Sequence, residues 1–341
     1  MPENDHQIPK RRIDVDPDLV RTPQRAPFVE LGLVSCFSFL RGASDAVDLV
    51  ERAYGLGYDA IGIADANTMG GVVRIHSEAK TLKLKPLIGC RIETVEGFAF
   101  LAYPKDRAAY GRLCRLISQG RMATLEGEWQ AKGECHISLA MLAAQSEDVQ
   151  LILMPPRDLE QRFAIAIPSN VVLFRQADTE EAVETRWTQV EGNLADILPH
   201  LTQQLPTMRH IAASYLYTAA DIARIETLDH YARLHGLGIL ATNDVHYATP
   251  DKRPLQDVMT AIRHKTTVAE AGHLLFGNAE RYLKSPAAMV RMFARWPHAI
   301  AAVREVADAC DFSLDTLKYE YPEELYPGGV DPQGYLESET W

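Results

Sequence analysis

Three side chains of metal-ligating type stand where short apolar runs end: Asp65 after AIGIA, and Asp244 and His246 after GILATN. Imidazole and carboxylate together hold zinc, manganese or iron at workable geometry. Three protein ligands suffice for one catalytic zinc ion. Of the eleven histidines, only His246 has such a setting. His76, His230 and His235 fall on predicted helices and read as surface or packing residues. Cys135–His136 has no paired cysteine nearby. Ser35 and Ser38 invite a nucleophile reading, but neither sits in a GxSxG elbow and no ordered base follows. Gly70 and Gly71 open a helix whose backbone N–H groups could hold an anion; a plain turn is the simpler reading.

The elements that must position these groups alternate. The pattern predicts strands over 29–36 (VELGLVSC), 60–64, 86–90, 98–103, 150–154 and 210–217, and a last one starting at Gly238. Helices are predicted between them: one begun by Ser44 and stopped by Gly55 and Gly57, then 70–82, 106–119, 138–145 and 219–235. The stretch 156–206 is ambiguous apart from VVLF at 171–174, which reads as a strand. Strands alternating with helices imply a mostly parallel sheet with helical crossovers. About 220 residues of such units are enough to close a barrel, whose chemistry sits at the C-terminal strand ends. Asp65, Asp244 and His246 fall there. From Pro254 the chain turns helical, over 254–264, 286–295 and 297–310, and the Pro- and Gly-rich stretch after 318 reads as a linker. Residues 1–27 carry five prolines and no apolar period, and read as a flexible leader.

Composition narrows the function class. A net charge of -11 argues against a domain that grips duplex DNA alone, because phosphate contacts demand a basic surface. Lys80, Lys83 and Lys85 form a local basic patch that reads as a solvated helix face. The five cysteines include no CxxC pair, so a zinc finger is not expected and reduced cytosolic thiols are. No signal peptide or apolar membrane span is evident, and a cytoplasmic location is expected.

Several long segments then resemble one family. FVELGLVSCFSFLRGAS (28–44) and LVERAYGLGYDAIGIADANTMGGVVRIHSEAK (49–80) are similar to the opening of the PHP (polymerase and histidinol phosphatase) domain of error-prone DNA polymerases, in the bacterial DNA polymerase III alpha-subunit family. GILATNDVHYATPDKRPLQDVMTAIRHK (238–265), FGNAERYLKSPAAMVRMF (276–293) and CDFSLDTLKYEYPEE (310–324) continue the likeness. The resemblance implies an α/β fold, a distorted seven-stranded TIM-like β/α barrel over 28–265. A helical connection over 266–341 would lead toward a polymerase palm.

It also implies a site. Active PHP domains hold two or three metal ions in a cluster of His, Asp and Glu, and use them to hydrolyse phosphate esters. Compared with that pattern, an HxH pair is replaced by Gly32 and Val34, an Asp-His pair reads Asp65–Ala66, and a Glu position carries Arg91. Asp244 and His246 remain. Asp65, Asp244 and His246 are thus the surviving candidate metal ligands, in a site expected to be vestigial. Arg91 is expected to pair with Asp65 or Asp244, guanidinium charge replacing metal charge.

The resemblance further implies a translesion polymerase in DNA repair, with Mg2+ at a palm not found before Trp341. Primed damaged DNA, deoxynucleotides, the sliding clamp and accessory mutagenesis proteins would be its partners. This region would have no catalytic residue of its own. The alternative is a Zn- or Mn-dependent phosphoesterase or 3′–5′ exonuclease with a reduced ligand set. A free-standing histidinol phosphatase relative fits the 276–324 segment poorly.

Overall fold

The computed structural model describes residues 26–124, 126–169, 186–318 and 331–341. The chain alternates as the apolar pattern requires. Helix α1 (Ala46–Gly55) is begun by the Asp45 carboxylate, which accepts from the Asp48 N–H. It leads to β1 (Ala60–Ala66), α2 (Val72–Thr81), β2 (Lys85–Glu93), β3 (Ala99–Pro104), α3 (Arg107–Met122), α4 (Leu139–Ala144) and β4 (Val149–Met154). After these come β5 (Phe163–Ser169), β6 (Arg186–Gly192), α5 (Leu194–Gln204), β7 (Met208–Ala213), α6 (Asp221–Leu234) and β8 (Gly238–Ala241). Helices α7 (Arg253–Arg263), α8 (Pro286–Met292), α9 (Pro297–Asp308) and α10 (Pro332–Thr340) complete the chain.

Six strands form one sheet in the order β1-β2-β3-β4-β7-β8. It is parallel-rich but not wholly parallel: β2–β3 and β3–β4 pair antiparallel, and for β2–β3 the short 94–98 connection allows only a hairpin. β5 and β6 form a separate antiparallel hairpin, in the stretch whose sequence pattern was ambiguous. The expected strand at 171–174 lies outside the described residues.

The expected first strand at 29–36 is not a regular strand. The run is extended and buried, with Phe28, Val29, Leu31 and Leu33 at 0% exposure, and it joins the two edges of the sheet. On one side its carbonyls accept from β1, Gly62 N–H to Glu30 O at 2.9 Å and Ala64 N–H to Leu33 O at 2.8 Å. On the other, Val34 N–H donates to Val245 O at 2.8 Å. The interruption has a named cause. The Glu30 carboxylate takes ladder positions itself, accepting from Gly32 N–H at 2.7 Å, Thr242 Oγ1 at 2.5 Å and Asn243 N–H at 2.9 Å. Gly32 is required there, since a Cβ would lie 2.3 Å from Thr242 Oγ1.

Helix α9 packs on the barrel. Ala299, Ile300, Val303 and Val306 of α9 are buried in the same apolar core as the strands. Lys85 donates to Ala307 O at 3.2 Å, and Lys80 pairs with Asp315 at 2.7 Å. Two of the three lysines read as a solvated face therefore tether the helical region. His76 does likewise, 3.2 Å from Ser313 Oγ. The final stretch read as a linker contains α10, whose start is set by Asp331 accepting from the Gln333 and Gly334 N–H groups and by Pro332 in the first turn.

Candidate functional site

The sequence-selected residues collect at one mouth of the barrel, as strand ends require. Asp65 closes the buried run of β1, Arg91 lies on β2, and Asp244 and His246 follow β8. All four are buried, at 1%, 8%, 9% and 8% exposure. Gly32 and Val34 come from the edge-joining segment. Val34 is fully apolar and buried, and Gly32 lies against the Asp244 backbone. Ala66 contributes only its N–H, donated to Ser38 Oγ at 2.8 Å.

Asp244 is the electrostatic centre. Its backbone adopts the left-handed region, with φ of 46°, which aspartate tolerates better than most residues. One carboxylate oxygen accepts from Arg91 and the other from Arg281. Burial pushes its carboxyl pKa up, but the two guanidiniums overcome this and hold it well below the usual range. Arg91 feels the reciprocal pull, which outweighs its own burial. His246 lies 3.7 Å from Asp244, faces Arg41 O at 3.3 Å through Nδ1, and stands edge-on to Phe276. Burial lowers its pKa, favouring neutral imidazole.

Asp65 does not join this group. Its oxygens accept from Ser35 N–H at 2.7 Å, Ser35 Oγ at 2.8 Å and Ser38 Oγ at 2.7 Å. Burial raises its pKa despite these bonds. The two serines weighed as nucleophiles are thus the carboxylate's neutral partners. Gly71 closes over the same group: a Cβ there would lie 2.3 Å from Asp65 Oδ2. The helix start read as an anion cradle or a turn is therefore packed against the protein's own carboxylate.

The residues present do not fit a metal ion. The three candidate ligands do not converge, and among the described residues no group of three or more His, Cys, Asp or Glu side chains could hold one. Both Asp244 oxygens are committed to guanidiniums, and a cation entering beside Arg91 and Arg281 would meet like charge. Sequence reasoning missed Arg281, which lies outside any regular element and carries no spacing signal. It also missed Glu30, although a lone carboxylate inside the apolar run VELGLV was a visible sign of a buried polar role.

The fold, an α/β barrel with its polar residues gathered at one mouth, agrees with the family whose model matches residues 30–198, described as the PHP domain. Residues 30–198 match the PHP domain. Over 92% of its length it is similar to error-prone DNA polymerases. One from Brucella abortus biovar 1 (strain 9-941) is 39% identical over 320 residues, with 26% of that protein covered. One from Bradyrhizobium diazoefficiens is 41% identical over 319 residues, with 25% covered. The chain therefore spans about a quarter of the length of these curated relatives. Among solved structures, an amidohydrolase from Chromobacterium violaceum superposes with a TM-score of 0.43 at 11% identity, covering 64% of this chain and 87% of that one.

Proposed function

We propose that this chain is the PHP region of an error-prone DNA polymerase acting in translesion synthesis, and that the domain serves as a non-hydrolytic structural module. The observation that carries the reading is Asp244 held between Arg91 and Arg281. Guanidiniums supply fixed positive charge but cannot generate the metal-bound hydroxide that phosphoester hydrolysis in this family uses. A polymerase that must extend mismatched ends gains nothing from a neighbouring 3′–5′ exonuclease.

A scaffold needs a docking face, and α7 supports one. Leu255, Val258 and Ile262 lie along one side of the helix at 48%, 45% and 56% exposure, while Gln256 and Thr260 are buried and bonded to each other at 2.9 Å. The apolar side of this helix faces outward. With relatives about four times as long, we assign the remaining polymerase chain as what covers it. The catalytic palm with its Mg2+, the primed damaged DNA, the deoxynucleotides, and the clamp and accessory mutagenesis proteins belong to that larger protein in this reading, as does a cytoplasmic location. Among the described residues no helix is long and apolar enough to cross a membrane.

The test is hydrolysis. Purified chain supplied with Mn2+ or Zn2+ should cleave neither a chromogenic phosphomonoester nor single-stranded DNA above the buffer rate. Cleavage that His246→Ala abolishes would replace this reading with a phosphoesterase or exonuclease.

A further inference from the structure

The opposite end of the barrel carries a separate concavity. Where β3 ends and β4 and β7 begin, a cleft of about 180 Å³ opens, lined by Lys105, Asp148, Gln150, Thr207, Arg209 and His210 among others. Asp244 follows the end of β8, which runs parallel to β7, so this cleft and the Asp244 cluster lie at opposite strand ends. The space is below the roughly 300 Å³ at which pockets for drug-sized molecules begin, and it suits one small ion.

An irregular ladder builds its wall. β4 and β7 pair in parallel, yet Leu151 faces Met208 and the next residue, Ile152, faces His210. Arg209 is thus the extra residue of a β-bulge. Bulges are rare in parallel pairs, and they re-aim side chains. In a regular strand Arg209 and His210 would point to opposite faces; here both line the cleft. The His210 ring lies against its ladder partner Gly238, where a Cβ would stand 3.4 Å from the imidazole. Lys105 is held from two sides. Its N–H donates to Asp148 O at 3.0 Å, and its carbonyl accepts from Asp311 N–H at 3.1 Å.

The charges around this space are unbalanced. Among the described residues, the side chains of Lys105, Arg209 and His210 make no hydrogen bond or ion pair. The lining carboxylate, Asp148, is paired with Arg112 at 3.6 Å. Burial lowers the His210 pKa against the pull of Glu305, which stands outside the lining. The neutral ring that results still donates one N–H. Thr207 Oγ1 is buried without a hydrogen-bond partner, a condition that costs free energy until one arrives. Two idle cationic heads, an imidazole and an unpaired hydroxyl, in a chain of net charge -11, match an anion with several oxygens.

We propose that this basal cleft binds a small tetrahedral oxyanion, inorganic phosphate or sulfate, through Lys105, Arg209, His210 and Thr207. The ion ties the end of β3 to the bulged start of β7. It does so away from the Asp244 cluster, and the site stands whether or not the function proposed above does.

Calorimetric titration of the chain with sodium phosphate and, separately, with sodium sulfate, at constant ionic strength, tests the site. Each ion should bind saturably at a single site. Arg209→Gln, a change at an exposed residue, should weaken binding about tenfold without lowering the melting temperature of the ion-free chain. Lys105→Gln should do the same. Arg157→Gln, which alters the mouth at the other end, should leave binding as it was. Absence of saturable binding by either ion overturns the proposal, as does binding that Arg157→Gln abolishes and Arg209→Gln leaves intact.

Discussion

Arg91 on β2 and Asp244 after β8 meet as a buried ion pair across the mouth of the barrel, although 153 residues separate them in the chain. The pair joins two strands that are not neighbours in the sheet, so it braces the side where the sheet is completed by an irregular segment. Removing one partner of a buried pair leaves an uncompensated charge. Arg91→Ala should cost about 2–4 kcal/mol, the lower end reflecting the remaining partner Arg281. Arg91→Met combined with Asp244→Asn should cost less than the sum of the two single changes, with a coupling of about 1–3 kcal/mol. Urea unfolding of the unsubstituted chain, Arg91→Ala, Arg91→Met, Asp244→Asn and the double variant measures both.

Glu30 supports a second prediction. Its two oxygens accept three donors, so an amide in its place would turn an N–H2 toward one of them. Glu30→Gln should destabilise the chain by about 1–3 kcal/mol even though it removes a buried charge. Equal stability in chemical denaturation would show that the carboxylate is not what seams the edge-joining segment to residues 242–243.

The pH response separates the two buried aspartates. Asp244 has a folded pKa well below 3.8, so its contribution is fully present above the unfolded value and is lost as pH falls through 3.8 toward the folded value. Asp65 and Glu30 are raised by burial. Their contribution is largest below the unfolded value and declines as pH rises toward the folded one. Asp244→Asn should therefore flatten the acid limb of a melting-temperature profile and leave the slope above it, which the other two carboxylates set.

Much of this frame was legible because burial on both faces writes continuous apolar runs. AIGIA, PLIGC, FAFLAY and QLILM all appear as strands within a few residues of their observed ends. Asp65, Asp244 and His246 were legible as strand-end polar residues. The edge-joining run was not, because its irregularity comes from a side chain, Glu30, standing in for backbone. The β5–β6 hairpin was hidden because FAIAIPS and RWTQVEG carry no clear turn between them within the described residues. Arg281 was invisible for another reason: its partner is set by tertiary approach and its neighbours NAE and YLK have no period. Nor does any local signal announce the left-handed backbone of Asp244.

The outward apolar side of α7 yields a prediction that differs between the chain alone and the longer protein of the proposed function. Ile262→Lys should change the stability of the isolated chain by no more than about 0.5 kcal/mol, as an exposed substitution does. In the longer polymerase that we propose this chain belongs to, it should loosen the attachment of this region, seen as faster proteolytic release. Unchanged proteolysis would remove α7 from the docking face.

Metal content is the most direct measurement. The purified chain is equilibrated with trace Zn2+, Mn2+ and Fe2+, dialysed, and assayed by elemental analysis. With Arg91 and Arg281 occupying Asp244, the metal found should be far below one ion per chain and unchanged by His246→Ala. One or more ions per chain, lost on His246→Ala, would contradict guanidinium replacement of the metal.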